Sequence, residues 1–392
     1  MRILQVVGSV DPSMGGPIEA VLRNSKWSAA AGNEIELLTM DDPGDPACAK
    51  FPLPVHAVGP VLTSYGYTPR LVPWLRRNAG RYDIAVVNGI WQFPSYAVWK
   101  VLHKLAVPYV VSPHGMLDPY FRRAFPWKHR KKAIYWRLFE RRVLEDAAAV
   151  IFTCERERLL ARESFTPYRV REAVVRFGTS APDVDLETAR GVFLAAYPAL
   201  AGKRLALFLG RIHPKKGCDL LLRAFAATLE ADPDWTLVIA GPDQAGWQAE
   251  LVQLARSLGI EDRTVWPGML VDAMKWGAFA AAEVFVLPSH QENFGIAVAE
   301  ALACGVPVLI SKEVNIWPEI EACGAALCEA DTLEGTQAMF EQWKRMSADR
   351  KAAMRTAARP CFYANFESRD AAASLDAILA ECIANRRSAP GM

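Results

Sequence analysis

The sequence lacks most of the features that mark specialised proteins. Only six of its 392 residues are histidine, and 45 Lys and Arg against 43 Asp and Glu leave a formal charge of +2. So even a balance gives no electrostatic case for a nucleic-acid role. No stretch approaches the roughly 18 apolar residues of a spanning helix, so a soluble or at most surface-bound protein is expected. The opening Met-Arg-Ile-Leu-Gln-Val-Val-Gly has too short an apolar run for a signal-peptide core and reads as a first buried strand. The eight cysteines contain no Cys-x-x-Cys pair and sit mostly in apolar or helical contexts. They read as small thiols in a reducing cytosol rather than as a disulfide framework. Neither a Walker loop nor Gly-x-Gly-x-x-Gly occurs, and there is no short repeat or low-complexity segment.

What is present is ordinary globular composition, 52% apolar and 22% charged, over a length that favours two domains. Apolar runs at 3–7, 35–39, 84–87, 109–112 and 150–153 read as strands, and so do those at 204–209, 236–240, 264–266, 284–287 and 306–310. Helical patterns lie between them, notably 17–31, 96–105, 128–144, 218–229, 247–258 and 295–304. This alternation predicts an α/β protein of parallel sheets with crossover helices. Continuous rather than alternating apolar runs predict strands covered on both faces. The pattern occurs twice. Gly-Thr-Ser-Ala-Pro-Asp-Val-Asp near 178–186 interrupts it, predicting Rossmann-like domains over 1–182 and 183–367 and a closing helical stretch over 368–392. Ligands of open parallel sheets bind outside the carboxyl ends of strands, so two such domains predict one deep cleft.

Four segments follow strands and carry chemistry. Gly210-Arg211-Ile212-His213-Pro214-Lys215-Lys216-Gly217 places two cations, Arg211 and Lys216, between glycines at a strand-to-helix turn. A planar guanidinium, a mobile ammonium and a helix N-terminus suit a diphosphate, although the segment also reads as a solvated turn. In the second, Glu292-Asn293-Phe294-Gly295 precedes a helix that carries Glu300. Eight residues are about 2.2 turns, so Glu292 sits at the helix mouth and Glu300 about 12 Å along it. A carboxylate on an apolar helix face needs a reason; paired ribose hydroxyls are one, exposure to water the other. The amides of Asn293, Phe294 and Gly295 suit a phosphate. In the third, His114-Gly115 follows a strand; its imidazole reads as a partner for a substrate hydroxyl or as a structural hydrogen bond. The fourth, Gly15-Gly16-Pro17, opens the first helix, either to let a ligand approach or only to make the turn.

Together and in this order these segments resemble the retaining glycosyltransferases of the GT-B fold, family 4, over nearly the whole chain. Glu292 to Glu300 matches the family's Glu-x7-Glu pattern and its Glu-x-Phe-Gly opening. Gly210-Arg211 with Lys216-Gly217 matches the diphosphate segment, His114-Gly115 the His-Gly element, Gly15-Gly16 the first loop, and Trp317-Pro318-Glu319-Ile320 the Pro-Glu segment. The resemblance implies that Arg211 and Lys216 bind the donor diphosphate, Glu292 the sugar and Glu300 the ribose. It also implies that Met269 lies against the base and His114 near the reactive carbon. Gly16, Asn293, Phe294 and Gly295 complete the donor set. It further implies a hexose moved from a UDP- or GDP-sugar with retention, with no metal and no cofactor beyond that donor, and a final helix that crosses back to the first domain. The Asp-x-Asp strings Asp183-Val184-Asp185 and Asp232-Pro233-Asp234 belong to the metal-dependent alternative, but neither follows a suitable strand.

From Phe121 to Leu144 nine Lys and Arg accompany one acid, Glu140, with aromatics between them. A basic amphipathic helix of this kind suits an anionic bilayer; it also reads as a solvated helix whose apolar stripe packs on the sheet. Membrane contact would suit the lipid-diphosphate acceptors of family members that build polysaccharide or lipopolysaccharide, at the cytoplasmic face. Gly15, Trp91, Arg122 and Arg123 are the expected acceptor residues. A sugar-nucleotide epimerase of the same fold and a non-catalytic nucleotide-sugar-binding protein are the rival readings. The sequence leaves the sugar, the nucleotide and the acceptor open.

Overall fold

The computed structural model describes residues 1–11, 16–229 and 232–388. It forms two compact units: Met1–Gly178 with the chain from Ser368 onward, and Thr179–Glu367.

The first unit is built on seven parallel strands. They are β1 (Arg2–Val7), β2 (Glu34–Thr39), β3 (Val55–Ala57), β4 (Ile84–Asn88), β5 (Tyr109–Ser112), β6 (Ala149–Phe152) and β7 (Glu172–Val174), in the order β3-β2-β1-β4-β5-β6-β7. Successive side chains point to opposite faces of a strand, and here both faces are buried. Leu4, Val6, Val87, Val111 and Phe152 pack on one side with Leu75, Val98 and Leu102, whereas Ile3, Ile84, Val86, Val110 and Ile151 pack on the other with Leu379. That is why these runs are apolar at nearly every position. The last helix, Ser368–Ser388, belongs to this unit and lies against the helix Gly16–Ala30. Polar bonds fix the contact: Trp27 Nε1 donates to Ser368 Oγ (3.0 Å), and Ser28 Oγ and Asn33 Nδ2 donate to the Asp376 carboxylate (2.7 and 2.9 Å).

The second unit carries six parallel strands, β8 (Arg204–Leu209), β9 (Trp235–Ala240), β10 (Thr264–Gly268), β11 (Val284–Leu287), β12 (Val308–Ser311) and β13 (Ala326–Glu329), in the order β10-β9-β8-β11-β12-β13. Its helices Cys218–Leu229 and Leu333–Arg345 pack together, as do Leu186–Ala196 and Asp272–Ala281.

The ten expected strands are all present, with ends displaced by at most two residues. Three more, β3, β7 and β13, escape the sequence pattern. Each stands at the edge of its sheet, with one neighbouring strand, and is only three or four residues long. The expected helix over 128–144 is corrected. It is a helix Pro126–Tyr135, a π-type turn Trp136–Glu140 and a short helix Arg141–Glu145. The wider turn puts both Trp136 and Glu140 inside and re-phases the chain so that Val143 and Leu144 are also buried.

The loops after β8 and β9 touch backbone to backbone. Gly241 has φ 140°, and a Cβ there would lie 1.8 Å from the Gly210 carbonyl oxygen. Gly241→Ala is expected to destabilise the second unit by roughly 3 kcal/mol or more, combining backbone strain with the clash. Urea unfolding measures this, and a loss below about 1 kcal/mol would show that the two loops relax apart.

Candidate functional site

In the second unit the site begins where β8 ends. The chain turns through Gly210 and Arg211 into a short 3-10 turn, Pro214–Lys216, which closes on Gly217 at φ 67°. A side chain at Gly217 would place its Cβ 2.3 Å from the Pro288 carbonyl oxygen. That contact is part of a seam between the β8 and β11 loops. His290 N and Ser289 Oγ both donate to the Lys215 carbonyl (2.9 Å each), and Lys215 Nζ donates to Gln291 Oε1 (2.9 Å). Across the seam Lys216 and Glu292 form a short ion pair whose side chains are only 11% and 18% exposed. Burial acts to raise the pKa of Glu292, but Lys216, Lys215 and Arg211 outweigh it and hold the carboxyl below the ordinary glutamate value. The backbone of Glu292 is clamped as well: its N–H donates to Glu313 O, and Asn315 N–H donates to its carbonyl (2.9 Å each). Arg211 stands exposed beside the pair and donates to Gln244 Oε1 (3.1 Å).

Gly295, at φ 79°, caps the helix Ile296–Ala303. Phe294 is buried edge-on against Phe366, and Asn293 is half-buried. Glu300 does not face water. It is buried, and its carboxylate accepts from Lys275 Nζ (2.9 Å), which comes from the helix Asp272–Ala281. The same ammonium lies 4.1 Å over the Trp276 ring. Met269 follows β10 and is 68% exposed, an apolar side chain left in solvent at a strand's carboxyl end. The Asp-x-Asp strings are otherwise engaged. Asp185 caps the helix Leu186–Ala196 through Thr188 N–H (2.8 Å), Asp232 pairs with Arg204 (3.3 Å), and Asp234 pairs with Lys203 (3.8 Å). No group of three or more His, Cys, Asp or Glu among the described residues is placed to hold a metal ion.

In the first unit the polar residues again gather after strands. His114 follows β5 in a left-handed conformation (φ 48°), and its Nε2 lies 3.0 Å from Asn88 Oδ1 at the end of β4. Asn88 Nδ2 in turn donates to Gln5 Oε1 (2.9 Å). The His-Gly turn is held by Glu157, which sequence reasoning does not single out. This buried carboxylate accepts from Gly115 N (2.6 Å) and from Thr153 N and Oγ1 (2.6 and 2.7 Å). Burial disfavours the charged imidazole and lowers the His114 pKa from 6.5 to about 4. Gly16 is exposed at the start of its helix, and Gly15 lies outside the described residues. Trp91, at φ 73°, is packed among Tyr135, Trp136 and Phe165, and its Nε1 donates to the Met116 carbonyl (3.2 Å). Arg122 and Arg123 are exposed on the short helix Tyr120–Ala124. Glu140, the one acid of the basic segment, is fully buried, so the segment shows no carboxylate on its surface.

Comparison with known proteins accords with this geometry. Residues 15–178 match the family model "Glycosyl transferase 4-like domain", and residues 195–359 match "Glycosyl transferases group 1". The GDP-mannose:cellobiosyl-diphosphopolyprenol alpha-mannosyltransferase of Xanthomonas campestris is 30% identical over 317 residues, 79% of this chain and 78% of that protein. The chain belongs to glycosyltransferase family 4. Among solved structures, the sucrose-phosphate synthase of Thermosynechococcus elongatus superposes with a TM-score of 0.80 at 19% identity, over 98% of this chain and 99% of that one. Anabaena HepE, in complex with UDP and glucose, superposes with a TM-score of 0.77 at 19% identity, over 97% and 100%. These likenesses establish the GT-B fold. As a family 4 glycosyltransferase the chain moves a sugar from a nucleotide-sugar donor to a glycan or lipid acceptor, which sets aside the epimerase reading.

In this glycosyltransferase His114 is a neutral hydrogen-bonding group at physiological pH. Between pH 6.5 and about 4 the unfolded chain binds a proton here that the folded chain does not, so this residue's contribution lowers stability as pH falls through that window. NMR of the ring carbons is expected to show His114 uncharged from pH 8 down to 5. Protonation near 6.5 would contradict the buried environment.

Proposed function

We propose that this glycosyltransferase retains anomeric configuration, needs no metal, and takes a hexose from a UDP- or GDP-sugar. The observation that carries the reading is the largely buried Lys216–Glu292 pair with Arg211 beside it, at the carboxyl ends of β8 and β11. When the bond from C1 of the sugar to the diphosphate breaks, negative charge collects on the departing phosphate oxygen. Lys216 and Arg211 supply fixed positive charge there, the task a divalent metal has in other transferases. The acceptor hydroxyl attacks C1 from the face the phosphate leaves, and its proton passes to the departing phosphate oxygen. Glu292, kept ionised by its three cationic neighbours, accepts from sugar hydroxyls and orients Lys216. Glu300 receives the ribose, Met269 covers the base, and the neutral His114 donates to or accepts from the sugar near C1. Gly16 and the amides of Asn293, Phe294 and Gly295 complete donor binding.

The acceptor is proposed to be a glycan on a lipid diphosphate, held by the first unit at the cytoplasmic face of a membrane. The name of the Xanthomonas relative, which pairs GDP-mannose with a diphosphopolyprenol, supports this class. So does the surface of the basic segment. Phe125, Trp127, Ile134 and Leu138 are 52–72% exposed among its cations, and Arg130 lies 4.9 Å over the Trp127 ring. No helix among the described residues is long and apolar enough to cross a membrane, so contact would be peripheral.

Arg211→Ala and Lys216→Ala are each expected to weaken transition-state binding by roughly 2–4 kcal/mol in kcat/KM, while EDTA leaves the wild-type rate unchanged. Full activity in both variants, or loss in EDTA restored by manganese, would overturn this account of the donor site. A thermal-shift screen of UDP-, GDP- and ADP-sugars names the donor, since a ligand at about 100 times its Kd stabilises by about 2.7 kcal/mol.

Each Lys or Arg close to an anionic bilayer contributes about 1 kcal/mol. The protein is therefore expected to sediment with anionic vesicles at low salt and to dissociate as salt rises. The triple variant Trp127→Ser, Ile134→Ser, Leu138→Ser is expected to bind them weakly while keeping nucleotide affinity. Wild type that fails to sediment would remove the membrane from this reading.

A further inference from the structure

A second ligand-sized feature lies in the first unit, apart from the His114 turn. A cavity of about 110 Å³ opens among Phe121, Phe125, Phe165, Met116, Lys128 and Lys132. That is several times the space one water needs. Its walls are mostly aromatic, yet two ammonium groups border it. The more telling is Lys132, which is half-buried, with its Nζ 4.6 Å over the Trp91 ring and 5.8 Å over that of Phe121. Among the described residues no carboxylate lies within ion-pair distance of it. The acid that acts on it electrostatically, Glu140, is buried and takes its bond from Ser95 Oγ instead (3.1 Å). Burial first and Lys128 second push the Lys132 pKa down to about 8, with Glu140 pulling the other way. His129 stacks on Phe165 at 4.6 Å and also lines the cavity, as does the buried Asp118, whose Oδ1 accepts from Tyr120 N (2.8 Å).

A cation held over aromatic faces without an acid is unfavourable for folding, because it gives up hydration and gains only part of it back. Such a group is suited to an anion that arrives later. The rings around it suit an apolar group attached to that anion, and Phe125, half exposed at the rim, leaves a way out to the surface.

We propose that this cavity is a binding site for the phosphate or diphosphate ester of an apolar chain, the anion on Lys132 and Lys128 and the first carbons of the chain along Phe121 and Phe125. This rests on the lipid-diphosphate acceptor reading and locates the acceptor's anion. It places that anion on Lys128 and Lys132 of the helix Pro126–Tyr135, beyond the exposed Arg122 and Arg123 of the preceding short helix. Trp91 then acts as a positioning residue: its ring supports Lys132.

Equilibrium dialysis with labelled geranyl diphosphate, with inorganic diphosphate as the second probe, tests the site. Wild type is expected to bind geranyl diphosphate more tightly than inorganic diphosphate. Lys132→Met is expected to weaken geranyl diphosphate binding by about tenfold or more, the loss of one charge-assisted contact. Phe125→Ser, a change at the half-exposed rim that should fold normally, is expected to weaken geranyl diphosphate and leave inorganic diphosphate unchanged. Lys216→Ala should leave geranyl diphosphate binding in this cavity unaffected while it weakens inorganic diphosphate, which the donor site also holds; that separates this cavity from the donor site and its failure from a failure of the donor reading. No binding by wild type would overturn the proposal. So would equal binding of the two probes by Lys216→Ala, or geranyl diphosphate binding that disappears in Lys216→Ala but survives Lys132→Met.

Discussion

Parallel strands cannot be joined by a tight turn. Each must run out of the sheet at its carboxyl end, cross over through a helix and re-enter at the other edge. All thirteen strands here are parallel to their neighbours, so in each unit every post-strand loop emerges on one edge. Residues far apart in the chain are thereby delivered to one place: Gly210 to Gly217 after β8, Gly241 after β9, Met269 after β10 and Glu292 after β11. Strand β8 sits between β9 and β11, and its loop therefore has neighbours on both sides. The Gly241–Gly210 contact crowds one flank and the Lys215 and Lys216 bonds to residues 289–292 stitch the other.

Charge inside this frame is arranged with different consequences from place to place. Glu157 is satisfied by backbone and hydroxyl donors and serves to hold a turn. Glu300 faces a single lysine, whereas Glu292 faces Lys216 with Lys215 and Arg211 close by, so the locality after β8 and β11 keeps a positive surplus. Glu140 is buried with hydrogen bonds from a hydroxyl and backbone and only a weaker pull from Lys132, and its pKa rises to about 7, mainly through burial. Lys132 is the converse, a cation over rings. Buried ion pairs are weak evidence of stability, because desolvation offsets much of their attraction. Pairs such as Lys216–Glu292 are better understood as holding two charged groups ready at fixed positions than as holding the fold together.

The separation between what a sequence displays and what only folding creates runs along contact range. Strands covered on both faces are visible because nearly all their residues are apolar; the short edge strands β3 and β7 are not, because every residue in them stays partly exposed. His114-Gly115, Gly210 to Gly217 and Glu292 to Glu300 are visible because each motif is local, a few residues at the end of an apolar run. Their supports are not. Glu157 is 42 residues from the Gly115 amide it binds, and Lys275 is 25 residues from Glu300. Neither sits in a motif, and nothing but the parallel topology brings them in. The π-type turn after Tyr135 was equally hidden, since helical periodicity cannot register one wider turn until the burial of Glu140 reveals it.

The basic segment shows why net charge is a poor guide to the location of function. Over the whole chain the charges almost cancel. Within residues 121–144 they do not, and the fold sharpens the asymmetry by withdrawing Glu140 into the core while Trp127, Ile134 and Leu138 stay outside. The break in the helix at Trp136–Glu140 accomplishes both at once. A continuous helix would carry one stripe; the wider turn lets the inward face hold Trp136, Glu140, Val143 and Leu144 while the outward face keeps aromatic and aliphatic groups beside cations. The same stretch thus contributes core to its own sheet, a desolvated lysine to a cavity, and an apolar, positively charged surface to the outside. In the proposed reaction these requirements belong to one substrate, an acceptor that is anionic at one point, apolar beyond it and anchored in a bilayer.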